Sequence, residues 1–206
     1  MRPINAALLA GLLFVSSQAN AQIKVGTSQA GLDLGLANPL SNTDLGNGDS
    51  GRFGHTGPAF GFNYLYQFQP IFSFGGDYNY KFLGSRDYPA PYGGVTVRTS
   101  AWTLLAVGRA DLMPDNKVRP YGLVGLGLGG ASRSLNFARS GFNSDNTSVG
   151  VAFALGGGVD YDVNDDWLVG AELRYSIINT SRSDVGTDSV SSLDLLFKVG
   201  YKFGRQ

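Results

Sequence analysis

The chain has 206 residues and a formal net charge of zero, with 16 basic side chains against 16 acidic ones. That balance gives no electrostatic argument for nucleic acid or another polyanion as a partner, and the lack of cysteine excludes a disulfide scaffold or a thiolate metal site. Glycine stands at 30 residues and charged side chains at 16%, about twice and about two-thirds of ordinary usage, a composition that leans towards a glycine-rich barrel.

The N-terminus reads as an export signal. Arg2 supplies a positive start, Ala6 to Val15 form a short apolar run, and Ala19-Asn20-Ala21 makes an A-x-A cleavage site. Residues 1–21 are therefore expected to be a cleaved signal peptide and 22–206 a single domain beginning at Gln22. The apolar run is about half the ~20 residues that a membrane-crossing helix needs, and no later stretch approaches that length.

The first strand falls somewhere within residues 23–37, where Leu32, Leu34 and Leu36 are in phase. From Ala59 to Phe82 the alternation is clear. Phe60, Phe62, Tyr64, Tyr66 and Phe68 occupy one face, and after Gln69-Pro70 the pattern resumes with Phe72, Phe74, Tyr78, Tyr80 and Phe82. A period of two puts each set on one side of a strand, and the proline break marks a tight turn. Residues 99–112 place Trp102, Leu104, Ala106 and Leu112 opposite Thr103, Arg109 and Asp111. Residues 121–134 are glycine-rich, with Val124, Leu126 and Leu128 in phase. Three further strands follow: Val149 to Val163, Trp167 to Ile177, and Leu193 to Phe203.

Eight strands result, joined alternately by short turns (near 69–70, 114–117 and 164–166) and by long loops (38–56, 84–95, 135–147 and 179–188). This asymmetry is that of a membrane barrel with short periplasmic turns and long outer loops. The expected fold is an all-β, eight-stranded antiparallel up-and-down transmembrane β-barrel. The aromatic face must point outward, because an eight-stranded lumen barely holds its own side chains. Phe60, Phe62, Tyr64, Tyr66, Phe72, Phe74, Tyr78, Tyr80 and Trp167 are accordingly expected to face lipid. Closure leaves no strand edge unpaired in hydrocarbon.

The export signal, the alternating strands and the ending Phe197-Lys198-Val199-Gly200-Tyr201-Lys202-Phe203 resemble the outer-membrane β-barrel superfamily of the OmpA-domain, OmpX and opacity-protein type. The resemblance implies the outer membrane of a Gram-negative-type bacterium, its lipid as surroundings, and surface ligands met through the loops. It also implies that Tyr201 and Phe203 form the C-terminal signal read by the barrel-assembly machinery. Gly204-Arg205-Gln206 depart from the family pattern, which usually stops at the aromatic.

Asp77, Lys81, Arg109, Asp111, Glu172, Arg174, Asp194 and Lys198 fall on the inward face. Buried charges need partners, so a salt-bridge network plugging the lumen is expected. The anticipated pairs are Glu172 with Lys198, Asp77 with Arg109, and Arg174 with Asp194. The single histidine, His55, could compose a Ser-His-Asp site with Ser85 and Asp87, but such a site is a matter of geometry. Gly125 to Gly130 match G-x-G-x-x-G inside a strand, not at a strand–helix junction, so no dinucleotide is expected. Asp160 to Asp165 begin like a calcium loop but lack its glycine and final glutamate. They read as a strand end entering a turn. The expected function is a barrel without catalytic activity, cofactor, metal or nucleic-acid partner, acting through its outer loops in adhesion, recognition or envelope integrity. A narrow low-conductance channel comes second, and a lipid-modifying enzyme third.

Overall fold

The computed structural model describes residues 25–46, 49–88, 95–137, 142–180, 185 and 187–204; the expected signal peptide lies outside them. The described strands are β1 (Ser28–Pro39), β2 (Asn42–Gly46), β3 (Asp49–Arg52), β4 (Gly57–Gln67), β5 (Phe72–Tyr88), β6 (Val95–Asp111), β7 (Val118–Phe137), β8 (Phe142–Asp162), β9 (Trp167–Asn179) and β10 (Ser189–Phe203). Eight of them close in the order β1-β10-β9-β8-β7-β6-β5-β4, and β2 and β3 form a separate hairpin in the first outer connection. Every neighbouring pair is antiparallel. β1 seals the ring, with Leu32 opposite Val199 of β10 on one side and Phe62 of β4 on the other. Both ends of the described barrel lie beside the β4–β5 turn, since Ser28 is level with Phe203 and Tyr66.

Strict alternation drives this architecture. On β1, Leu34 is 66% exposed while Asp33 is 1% exposed; on β10, Phe197 is 61% exposed and its neighbour Leu196 is fully buried. Large apolar side chains thus coat the outside, while the inside mixes polar, charged and small side chains with a few leucines such as Leu105, Leu123 and Leu196. At about 3.3 Å per residue and a tilt of about 40°, the outward apolar run Leu193 to Phe203 rises about 25 Å, the height of the apolar band of a membrane barrel.

The long loops are shorter than the sequence suggests. β5 runs to Tyr88, β6 begins at Val95, β7 runs to Phe137 and β8 begins at Phe142. These outer halves are rich in Ser, Thr and Asn, so they lack the apolar alternation that signals a strand. Beyond the apolar band, however, a strand needs only its backbone ladder. The wall is therefore tall on the β5–β8 side and low elsewhere.

The outer mouth carries an apolar cap. Phe53, from the first outer connection, is buried with Ala37, Leu83, Ala131, Ile178, Val185 and Val190. Its backbone N–H donates to the Ser41 carbonyl (2.9 Å), and the His55 N–H donates to the Leu83 carbonyl (2.6 Å). These bonds fold the first outer connection over the rim.

Candidate functional site

The interior is built in layers, described from the turn end upward. In the lowest layer Arg109 bonds Asp160 (2.6 Å) and Asp111, Arg119 bonds Asp162 (2.8 Å), and Lys202 pairs with Asp162 at 2.9 Å. The Tyr121 ring lies above this layer, with the Arg109 guanidinium 3.6 Å from its centroid. Tyr121 donates its hydroxyl proton to Glu172 (2.8 Å) and accepts from Lys198 (3.1 Å). The middle layer centres on Arg174. Its two terminal nitrogens donate to the two Asp77 oxygens at 2.6 and 3.0 Å, and its Nε donates to Glu172 at 2.6 Å. Lys198 lies 3.4 Å from Glu172. In the upper layer Lys81 donates to Asp194 (2.5 Å), Ser192 (2.8 Å) and Ser176.

All eight charged residues singled out in the sequence are buried here, but two of the anticipated pairs do not form. Asp77 does not meet Arg109, because the register sets Asp77 opposite Leu105, four residues away along β6. Arg109 instead crosses to β8, and Asp77 reaches across the lumen to β9. Arg174 lies opposite Asp194 in the ladder, yet it bonds Asp77 and Glu172 while Asp194 bonds Lys81. Only Glu172 and Lys198 stand together as anticipated.

Five further charges, Asp33, Arg119, Asp160, Asp162 and Lys202, are also buried. Each was legible. Leu32 and Leu34 outward imply Asp33 inward, and the odd-numbered phase of β7 carries Arg119 with Tyr121. Asp160 and Asp162 lie on the inward face at the end of β8, as the alternation implies, and the turn follows them. Asp33 accepts from the Asn63 amide at 2.8 Å.

The outward aromatics meet in pairs. Phe60 stacks on Tyr80 (centroids 5.5 Å apart), Tyr66 meets Phe74 edge-on (5.8 Å), and Trp167 meets Tyr201 edge-on (5.1 Å). Phe62, Phe72 and Tyr78 are exposed on the same surface. Phe203 lies between Tyr201 and Tyr64, at 6.3 and 6.2 Å. Tyr64 also shares a 3.0 Å hydrogen bond with Ser28, so it touches both the first residue of β1 and the last residue of β10.

His55 is exposed beside Gly84, whose positive φ of 77° turns the chain at the bulge before Ser85. No hydrogen bond joins His55 to Ser85 among the described residues, and the Asp87 side chain lies outside them. Gly125 to Gly130 sit within β7, which continues to Phe137. There a Cβ on Gly127 would lie 2.1 Å from the Leu104 carbonyl oxygen, so the glycine is required by the close approach of β6.

No curated protein is significantly similar in sequence. Among solved structures, Neisserial surface protein A (NspA) matches with a TM-score of 0.54 at 22% identity, covering 86% of this chain and 96% of its own. OprG of Pseudomonas aeruginosa matches with 0.54 at 19%, covering 91% and 100%. Ail, the attachment invasion locus protein of Yersinia pestis, matches with 0.51 at 16%, covering 85% and 99%. At these identities the likeness speaks for the fold. The sequence itself matches a family description over residues 7–203, and the chain belongs to the outer-membrane protein β-barrel domain family.

Proposed function

We propose that this protein is exported by cleavage after Ala21 and acts as a closed outer-membrane scaffold. It conducts no ions through its lumen and presents its outer strands and loops for adhesion, recognition or envelope integrity. One observation supports the reading: among the described residues, side chains pack the middle of the barrel and leave little space between them. The cavity between Asp77, Arg109, Glu172, Arg174 and Lys198 measures about 10 Å³, room for about one water molecule. A conducting path needs a continuous file of water, and the ion-paired side chains occupy it. Ail has been crystallised with the heparin analogue sucrose octasulfate, so for this chain a sulfated glycan is the first soluble surface ligand to test.

The test has two parts. Protein extracted from membranes should shift in gel mobility on boiling and begin at Gln22 on N-terminal sequencing. Reconstituted in a planar bilayer, it should show no steady discrete conductance. Such a conductance, altered in selectivity by Glu172→Gln, would replace the plugged scaffold with a narrow channel.

A further inference from the structure

On the outside of the tall wall, where the apolar band ends, strands β5 to β8 hold a groove of about 540 Å³. Its position follows from the order of outward side chains. Trp102 and Gly130 lie level with each other, and Leu104 and Leu128 continue the apolar band below them. One step higher the outward face becomes polar with Ser100 opposite Ser132, and a further step up Arg98 is set opposite Ser134, itself opposite Asp145. Ser132 and Ser134 give the groove a shallow floor, Tyr80 and Phe82 form one wall, and Asp145 borders the other. Arg98 and Asp145 are exposed. The Trp102 indole lies across Gly130, where a Cβ would come within 2.5 Å of its Nε1. Glycine there lets the ring lie flat against the wall beneath the groove.

Three features together specify an occupant. The groove opens sideways at the level where hydrocarbon gives way to headgroups, so a lipid reaches it before any soluble ligand. Its size falls among sites for small organic molecules, about 300–1,000 Å³. Its chemistry is mixed: aromatic faces suit the C–H face of a sugar ring, serine hydroxyls and a carboxylate suit sugar hydroxyls, and a guanidinium suits a phosphate, which it can grip through two parallel hydrogen bonds. Asp145 would repel a bare phosphate but accepts hydrogen bonds from sugar hydroxyls. The lining also includes Arg133, which has interactions of its own, so it is the carboxylate and hydroxyls beside the guanidinium that favour a sugar phosphate over a bare anion.

We propose that this groove binds the phosphorylated sugar headgroup of an outer-leaflet glycolipid. Arg98 holds the phosphate, Asp145 and the serines hold sugar hydroxyls, and the acyl chains descend over Phe82 and Trp102. The proposal rests on the outer-membrane orientation given above, with the short turns on the periplasmic side.

Trp102 supplies the readout. The chain has two tryptophans, and Trp167→Phe leaves Trp102 alone beside the groove. This variant is refolded into phosphatidylcholine nanodiscs containing increasing amounts of diphosphoryl lipid A, and Trp102 emission is followed. A saturable change is expected, with the half-saturating lipid fraction raised about tenfold or more by Arg98→Gln, the scale for a lost charge-assisted bond. Asp145→Asn should reduce the preference for lipid A over inorganic phosphate. The proposal is overturned if Arg98→Gln titrates like its parent, if a neutral glycosylceramide gives the same response, or if inorganic phosphate abolishes it at equal phosphate concentration. Boiling and gel mobility are checked on every variant. A sample that shifts on heating yet shows no saturable emission change sinks the groove alone, whereas one that never shifts sinks the barrel reading beneath it.

Discussion

Lys81 is surrounded by protein, with Asp194 at 2.5 Å and Ser192 at 2.8 Å as hydrogen-bond acceptors. Removing one member of such a pair leaves a buried charge uncompensated, which costs about 3–5 kcal/mol, whereas replacing both by apolar groups is often neutral or stabilising. Lys81→Met should therefore destabilise the barrel by about that amount, and Lys81→Met with Asp194→Leu should recover most of the loss. Urea unfolding of protein refolded in lipid vesicles reads both. A double variant no more stable than the single one would show that Lys81 serves some purpose besides neutralising Asp194. The identities of the inward charges were readable from a period of two, but their partners were not. Pairing depends on stagger around the barrel, which no single strand encodes. Asp77 and Arg174 meet from β5 and β9, on opposite sides of the ring.

At the scale of the strand, the apolar faces of β4, β5, β8, β9 and β10 were legible because lipid contact demands an unbroken alternation. The outer parts of β7 and β8 were not, since hydroxyl and amide side chains pair as strands without leaving that signature. The outward residues of β9 offer a test of where the apolar band lies. Leu173 sits midway along the run from Trp167 to Ile177, and Ile177 approaches the outer rim. Arginine at the middle of a lipid-facing strand costs about 2–4 kcal/mol and near an interface about 0–1 kcal/mol. Leu173→Arg should thus destabilise folding in vesicles well beyond Ile177→Arg, and equal penalties would mean that the band is misplaced along β9.

For the whole molecule, two layers of side chains are stacked in series between the long-loop end and the short-turn end of the barrel, and on the proposed reading both act as barriers. The upper one is apolar, with Phe53 at 1% exposure in the same buried cluster as Leu83, Ile178, Val185 and Val190. The lower one is the stack of ion pairs from Lys81 down to Lys202. The first depends on a short segment after the β2–β3 hairpin, while the second is written into six strands. Phe53→Ala removes the ring that fills the mouth and should cost about 3–5 kcal/mol, the range for truncating a buried phenylalanine. It should nevertheless leave a planar bilayer silent, because water entering the mouth still meets Lys81 and Asp194, and beneath them Arg174 and Asp77. Steady conductance in Phe53→Ala would show that the ion pairs part easily and that the apolar cap alone closes the barrel. Silence, together with a lowered unfolding midpoint, would place the permeability barrier in the charged layers and give the cap a purely stabilising role.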